Sequence, residues 1–373
     1  MEDWFSKFEK EIGSDRFNHF HDVIEDLSWT IEDNIIPPQR SLFVPRYECS
    51  IDAFSYHFVE NESLCNEQIL HDLNHGANRI LLTWNDLPRL DIVLKEVLFE
   101  YVRVNLCVRN EKDLASVLSW YHRVHATNIV IETQFDSMQS STAPCVRKIS
   151  GFDVYAVGGN GIQEISFVIL ELNRILRLTS PETIIIEIGI GENMIIETAK
   201  IIALKWLIEA SRQRHNAKTN IAVRAKIGWR NKVTSSHTNQ IKQTTEALTA
   251  LIGGVHELCI TPYDLCYAKP SEIFVRRMAI NTVHILREEA HLNRFPAIDK
   301  GSIAILNLAQ KFADQCWGNF TRLNDHNAPV EVLKSMIVNT LNIRNTQVKD
   351  GPSLTNTPEY GFGNLPFYFF ESL

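Results

Sequence analysis

Two histidines in the segment HDLNH, residues 71–75, have a spacing that could bind a metal ion. Histidines four residues apart on a helix share one face, and a similar segment, HExxH, binds zinc in metalloproteases. Here Asp72 stands where the general-base glutamate would stand, Gly76 follows at once, and no third ligand is evident. The pattern therefore favours histidines at the surface or at the end of a helix over a metal site.

Two glycine-containing loops could cradle a phosphate, because each is predicted to follow a strand and to open a helix. They are VGGNG at residues 157–161 and GIGEN at residues 189–193. A dinucleotide fingerprint needs a further glycine where the second loop has Met194, and Glu192 would bring a negative charge towards the pyrophosphate. The loops are more typical of tight turns after barrel strands. A nucleotide-dependent oxidoreductase with a Rossmann-type sheet stays as an alternative.

These loops belong to a chain in which strands rich in Ile and Val alternate with longer helices, a pattern typical of a parallel sheet covered on both faces. The sequence predicts seven strands, at residues 79–84, 102–108, 128–132, 152–157, 183–188, 220–224 and 255–260. An eighth, in shortened form, is expected within residues 135–150. We therefore predict an α/β fold of the (β/α)8 TIM-barrel type, with room for one degenerate strand.

Extensions are predicted on both sides of the barrel. Residues 1–45 read as an amphipathic N-terminal arm and connector, residues 46–300 as the barrel, and residues 301–373 as C-terminal helices and a tail. The aromatic arm either packs on its own domain or embraces a partner chain, and its spacing favours neither alternative.

Composition excludes some partners. The chain has 373 residues, 45% of them hydrophobic, a formal charge of -8 at pH 7 and a pI near 5.9. Nucleic acid and anionic membranes attract basic faces, so neither is expected as the main partner. The seven cysteines form no CxxC pair, and we expect neither a signal peptide nor a membrane span. A reduced, cytoplasmic protein is predicted.

The most specific wording lies between residues 239 and 292, where a TT-containing helix leads through a double glycine and a strand to an RR-A-NT---L-EE helix. It resembles the substrate-domain barrel of the methylmalonyl-CoA mutase family. The matching residues are Thr244, Glu246, Ala247, Gly253, Gly254, Asp264, Arg276, Arg277, Ala279, Asn281, Thr282, Leu286, Glu288 and Glu289. The resemblance implies a β/α barrel over most of the chain.

The same resemblance locates the family's site residues, and this chain departs from the family pattern at each of them. The family's Tyr and His, which flank the reacting thioester, then its Arg and Ser, and then its Gln and Glu fall respectively on Phe152, Asp153, Thr183, Ile185, Ala225 and Val233. Loss of the phenol and the imidazole removes two hydrogen-bond donors to the thioester carbonyl. We therefore expect no catalytic, cofactor-binding or metal-binding residues in this chain.

Such losses make the chain similar to the small, or beta, subunit of heterodimeric mutases. That resemblance implies a pseudoenzyme that stabilises a catalytic large subunit, which would carry adenosylcobalamin and interconvert methylmalonyl-CoA and succinyl-CoA. This chain alone would bind no cofactor, and we expect no cobalamin-binding domain because the family's Asp-x-His-x-x-Gly motif does not occur. The alternative is a mutase substrate chain working with a separate cobalamin-binding polypeptide. Pairing with a homologue or with itself, and survival of a vestigial acyl-CoA pocket, both stay open.

Overall fold

Eight parallel strands form a nearly closed barrel in the described part of the chain. The computed structural model describes residues 51–126, 128–135, 144–179, 181–228, 230–233, 235–264, 272–292 and 302–347. Its strands follow one another around the sheet in chain order, each paired in parallel with the next, and β8 lies against β1. They are β1 Phe54–Phe58, β2 Arg79–Thr83, β3 Arg103–Val108, β4 Ile129–Thr133, β5 Cys145–Ser150, β6 Thr183–Gly189, β7 Asn220–Ile227 and β8 Glu257–Ile260. This order confirms the predicted TIM-type barrel and excludes the doubly wound sheet of a Rossmann domain.

Helices cover the outside of the barrel. The described helices are α1 Glu62–Asn74, α2 Leu90–Val93, α3 Glu111–Val124, α4 Gly151–Ala156, α5 Gly161–Leu178, α6 Met194–Arg214, α7 Ser236–Gly253, α8 Ile273–His284 with a π-helical end Ile285–Glu289, α9 Ile303–Asn324 and α10 Pro329–Gln347. The predicted C-terminal helices are thus confirmed as α9, which packs across α5 and α6, and α10. Each described helix is too short or too polar to cross a membrane.

The two faces of each strand have different neighbours, because successive side chains of a strand point in opposite directions. On β6, Ile184, Ile186 and Ile188 belong to the apolar core between the strands and the helices. Glu187 on the same strand points into the barrel, where it contacts Lys148 and Arg224. The core therefore lies outside the strands, and polar side chains fill much of the interior.

One predicted strand is wrong. Residues 152–157 are mostly apolar, but Gly151–Ala156 form α4. The strand is Cys145–Ser150, inside the segment in which the eighth strand was expected. A run of six residues cannot be assigned by periodicity alone. Strand β1, Phe54–Phe58, was not predicted at all. The predicted arm at residues 1–45, the tail beyond residue 347 and the domain boundaries near residues 45 and 300 lie outside the described residues.

Candidate functional site at the mouth of the barrel

A cavity of about 130 Å³ opens at the carboxyl ends of the strands, the end where TIM-barrel enzymes carry their active sites. Its wall combines charged, aromatic and apolar side chains from β1 to β7 and from α4. The wall includes Tyr56, Phe58, Cys107, Val108, Arg109, Glu132, Lys148, Phe152, Asp153, Ala156, Val157, Glu187 and Lys226. We call this space the mouth cavity.

Beneath the mouth cavity, an ion network crosses the barrel axis. Arg224 on β7 binds Glu132 on β4 through two hydrogen bonds of 2.7 and 3.0 Å, and contacts Glu187 at 3.3 Å and Glu257 at 2.7 Å. Lys148 on β5 contacts Glu187 at 2.9 Å. These charges offset one another in a space from which water is excluded, as buried charges require. We call these five residues, together with Arg79 bound to Glu257 at 2.7 Å, the axial ion network.

The network fixes the charge states of its carboxyl groups. Burial alone would raise the pKa of Glu187, but Lys148, Lys226 and Arg224 outweigh burial and lower it to about 2. The same opposition lowers the pKa of Glu132, where Arg224 and Lys148 act with hydrogen bonds from Arg224 and Asn105. Both side chains are therefore anionic at neutral pH, and the centre of the barrel is a packed ionic core rather than a channel.

Two of the sequence-predicted site residues lie in the mouth cavity. Phe152 and Asp153 occupy the first turn of α4, directly after β5, and line the cavity wall. Removal from bulk water raises the pKa of the Asp153 carboxyl, although Lys148 and Lys226 act in the opposite direction.

The other four predicted positions are not lining residues of the cavity. Ile185 is buried on the interior side of β6, one layer below Glu187, and Thr183 begins that strand at the opposite end of the barrel. Ala225 belongs to the apolar core on the helix side of β7. Val233 lies in the loop between β7 and α7, where its backbone exchanges two hydrogen bonds with the Asn239 side chain.

The glycine loops are filled by the protein's own side chains. The N–H of Gly189 donates to Glu164 at 2.7 Å, and a Cβ at this glycine would lie 2.2 Å from the Tyr155 ring. Arg230 donates to the backbone carbonyls of Tyr155 and Gly159, each at 2.7 Å. A pyrophosphate would have to displace these contacts, so the loops do not support the nucleotide alternative.

The two histidines of the HDLNH segment lie at the C-terminal end of α1. His71 and His75 stack at 4.0 Å between ring centroids, and the His75 ring bonds the carbonyl of His71 at 2.7 Å. Asp72, between them, is buried and bonded to Arg276. Across the described residues, no cluster of three His, Cys, Asp or Glu side chains is arranged to hold a metal ion.

A buried polar cluster, which was not predicted from the sequence, joins the first and the last β/α units of the barrel. Ser55 and His57 on β1, Asp72 on α1 and Arg276 on α8 form it, with Ser55 Oγ 2.5 Å from both His57 Nε2 and Asp72 Oδ2. These residue types occur in nucleophilic triads, but here the serine lies between the other two and all four side chains are buried. Burial and Arg276 hold the pKa of His57 well below its ordinary value. The cluster therefore fastens β1 to α1 and α8.

The axial ion network was also not predicted, although one feature of the sequence indicates it. Charged residues two apart in an apolar strand, such as Arg224 and Lys226, indicate a face that is buried against other charges instead of solvent.

Comparison with known proteins identifies the family that this chain resembles. The family model for methylmalonyl-CoA mutase matches residues 182–352. The methylmalonyl-CoA mutase small subunit of Porphyromonas gingivalis is 25% identical over 321 residues, covering 71% of this chain and 51% of that protein. The small subunit of Propionibacterium freudenreichii is 22% identical over 317 residues, covering 72% and 49%. The methylmalonyl-CoA mutase of Escherichia coli is 25% identical over 181 residues, covering 45% and 25%.

The chain spans about half the length of the small-subunit relatives from Porphyromonas and Propionibacterium. The family match falls on β6 to α10, and the small-subunit matches extend over most of the chain. With the eight-stranded barrel, these matches support a substrate-domain barrel of the methylmalonyl-CoA mutase type, most similar to that of the small subunit.

Proposed function

We propose that this chain is a non-catalytic partner that stabilises the catalytic large subunit of an adenosylcobalamin-dependent methylmalonyl-CoA mutase. The observation that carries the proposal is the filled barrel. The axial ion network occupies the centre, and the mouth cavity measures only about 130 Å³. Pockets for drug-sized ligands measure about 300–1,000 Å³, so an acyl-CoA has no room without large rearrangement.

The chemistry of the wall supports the same proposal. Phe152 has no hydrogen-bonding group on its ring, and Asp153 would present a carboxyl group to a thioester oxygen. Loss of a single oxyanion donor costs about 10²–10³ in turnover in a serine protease. Because both family positions have changed, we expect no measurable isomerisation by this barrel.

Adenosylcobalamin is assigned to the partner in this proposal. Among the described residues, the wall of the mouth cavity includes no histidine that could coordinate cobalt. The present residues therefore do not fit the cofactor. The five cysteines in the described part form no disulfide. A cytoplasmic location stays part of this proposal.

Exposed apolar side chains at the mouth end support pairing with another chain. Ile195 on α6, Ile241 on α7 and Phe274 on α8 all lie in the first two turns of helices that follow neighbouring strands. They are 58%, 66% and 56% exposed. Large apolar groups gathered at one end of a soluble protein are typical of an interaction surface.

Co-expression with a mutase large subunit tests the proposal. We expect a one-to-one complex, measured by light scattering after size exclusion, and weaker complex formation by the Ile195→Asp and Phe274→Asp variants. Leu178→Asp is the matched control, because Leu178 is 60% exposed at the opposite end of the barrel. A monomer that fails to associate at micromolar concentration would overturn the proposal.

The alternative is a substrate chain that works with a separate cobalamin-binding polypeptide, and the family match of the barrel favours it. Supplying that polypeptide with adenosylcobalamin and methylmalonyl-CoA separates the two proposals. We expect no succinyl-CoA, and steady turnover would establish the alternative.

A further inference from the structure

We propose that residues 365–370 of this chain, with the sequence LPFYFF, dock on the exposed apolar face at the mouth ends of α6, α7 and α8. The face consists of Met194 and Ile195 on α6, Ile241 on α7, and Ile273 and Phe274 on α8, and we call it the mouth face. This contact within one chain does not depend on the pairing proposed above, because it is measured on the isolated protein. A partner that used the same face would have to displace the segment.

The mouth face is large for a surface left in contact with water. Each of its five side chains is more than two-fifths exposed. Helix α7 packs against α6 on one side and against α8 on the other, so the five side chains lie on the first two turns of neighbouring helices. Single exposed apolar side chains are ordinary, whereas a group of them on adjacent helices marks a place where another apolar group binds.

Helix α10 leads the chain towards this face. Thr340 on α10 accepts a hydrogen bond of 2.8 Å from Gln163, which lies in the first turn of α5 at the mouth end of the barrel. Gly161, which opens α5, is so close to α6 that a Cβ there would lie 2.9 Å from the Lys200 side chain. Helix α10 ends at Gln347, about 10 Å along its axis from Thr340, so the chain leaves it near the mouth ends of α5 and α6.

The chain that follows α10 is long enough to reach every part of the mouth face. Residues 348–364 can span about 55 Å when extended, at about 3.3 Å per residue. Neighbouring helix axes lie about 8–10 Å apart, so α8 is roughly 30 Å from α5 around the barrel. Residues 365–370 can therefore contact all three helices of the face.

The aromatic N-terminal arm is less suited to cover the same face. The chain enters β1 at Phe54, at the amino ends of the strands, and the mouth lies at their carboxyl ends. The arm would have to cross the height of the barrel to reach the mouth face, whereas the C-terminal segment starts beside it. Geometry therefore favours the C-terminal segment.

The segment has the composition that an apolar face binds. Residues 365–370 are a leucine, a proline and four aromatic residues, without a charged side chain. Aromatic side chains bury large apolar areas when they pack on such a surface. Because segment and face belong to one chain, even a weak contact forms at an effective concentration of about millimolar order. We therefore expect docking in the absence of any other protein.

Photo-crosslinking of the full chain tests the inference. Phe369 is replaced by p-benzoylphenylalanine, which keeps the aromatic ring and reacts with nearby C–H bonds on irradiation, and the products are mapped by mass spectrometry. We expect crosslinks within one chain to the first two turns of α6, α7 and α8. Adding Ile241→Asp should lower their yield by about fivefold or more, because a charge replaces an apolar contact.

Two controls address the opposite end of the barrel. Adding Leu178→Asp should leave the yield unchanged, because Leu178 is exposed at that end. The same photoreactive group at Tyr101, which is exposed just before β3, should not react with the mouth face. Circular dichroism verifies that each variant is folded.

Three results would each overturn the inference. The first is crosslinking of position 369 to another surface, or an unchanged yield in folded Ile241→Asp. The second is a product that joins isotope-labelled and unlabelled chains in a mixture, which would assign the mouth face to a second copy. The third is reaction of the mouth face with a photoreactive group at Trp4 instead of Phe369, which would assign it to the N-terminal arm.

Discussion

Removal of the Arg224 guanidinium tests the axial ion network most sharply. In an Arg224→Met variant, Glu132 keeps Asn105 at 2.6 Å but loses both bonds from Arg224, while Glu187 keeps Lys148 and Glu257 keeps Arg79. Breaking a buried ion pair from one side costs about 3–5 kcal/mol, because the partner stays buried without its counter-charge. We expect a loss of this size in the free energy of unfolding, measured with urea.

The loss should depend on pH with a predictable sign. In the unchanged chain the pKa of Glu187 is lowered to about 2, so its contribution is present above the unfolded pKa near 4.3 and is lost as pH falls towards 2. Without Arg224, we expect burial to outweigh Lys148 and Asn105 and to raise the pKa of Glu132 above its unfolded value. As the pH falls from about 7 to 5, the free energy of unfolding of the variant should therefore rise. The unchanged chain should gain no stability from this network over the same pH range.

Two further variants complete the test. Arg123→Met removes an arginine from an exposed pair with Asp91 at 2.6 Å and should cost at most about 1 kcal/mol. Adding Glu132→Gln to Arg224→Met should restore part of the lost stability, because the uncompensated charge is removed. A cost below about 1 kcal/mol for Arg224→Met, or additive effects in the double variant, would refute the reasoning.

Two other predictions concern packing and closure of the barrel. Gly189→Ala should lower the free energy of unfolding in urea by about 1–3 kcal/mol, because the added Cβ would lie 2.2 Å from the Tyr155 ring. Gly318 on α9 has open space around it, so Gly318→Ala should raise the free energy of unfolding by about 0.5–1 kcal/mol. Equal effects of the two substitutions would contradict the packing described for Gly189. Arg276→Met should cost about 3–5 kcal/mol because it leaves Asp72 buried without its cation, and it should speed hydrogen exchange in β1 more than in β6. Uniform exchange would contradict its role in fastening β1.

The barrel was predictable because local patterns determine it. Strands such as Thr183–Gly189, with Ile at successive positions, alternate with long amphipathic helices, and that rhythm indicates a parallel sheet covered by helices. Strand β1 escaped prediction because Ser55 and His57 place polar groups on its helix-facing side. Their partners Asp72 and Arg276 lie 17 and 219 residues away, and a single sequence does not reveal such a pairing.

The mouth of the barrel was predictable only in part. Family resemblance predicted Phe152 and Asp153 as site positions, and both line the mouth cavity, although the strand assigned to them is a helix. The ion network was hidden because Glu132 and Arg224 are 92 residues apart and meet only once the sheet has curved into a barrel. Ala225, where the resemblance placed the family's Gln, lies on the helix side of β7 and away from the mouth cavity.

Turnover of the purified complex tests the central claim most directly. Methylmalonyl-CoA isomerisation would be measured for this chain paired with a large subunit whose own thioester-flanking Tyr and His are both replaced. We predict that the complex forms with unchanged mass and that no succinyl-CoA is produced, because this barrel contributes no chemistry. Adenosylcobalamin-dependent turnover by that complex would contradict the account.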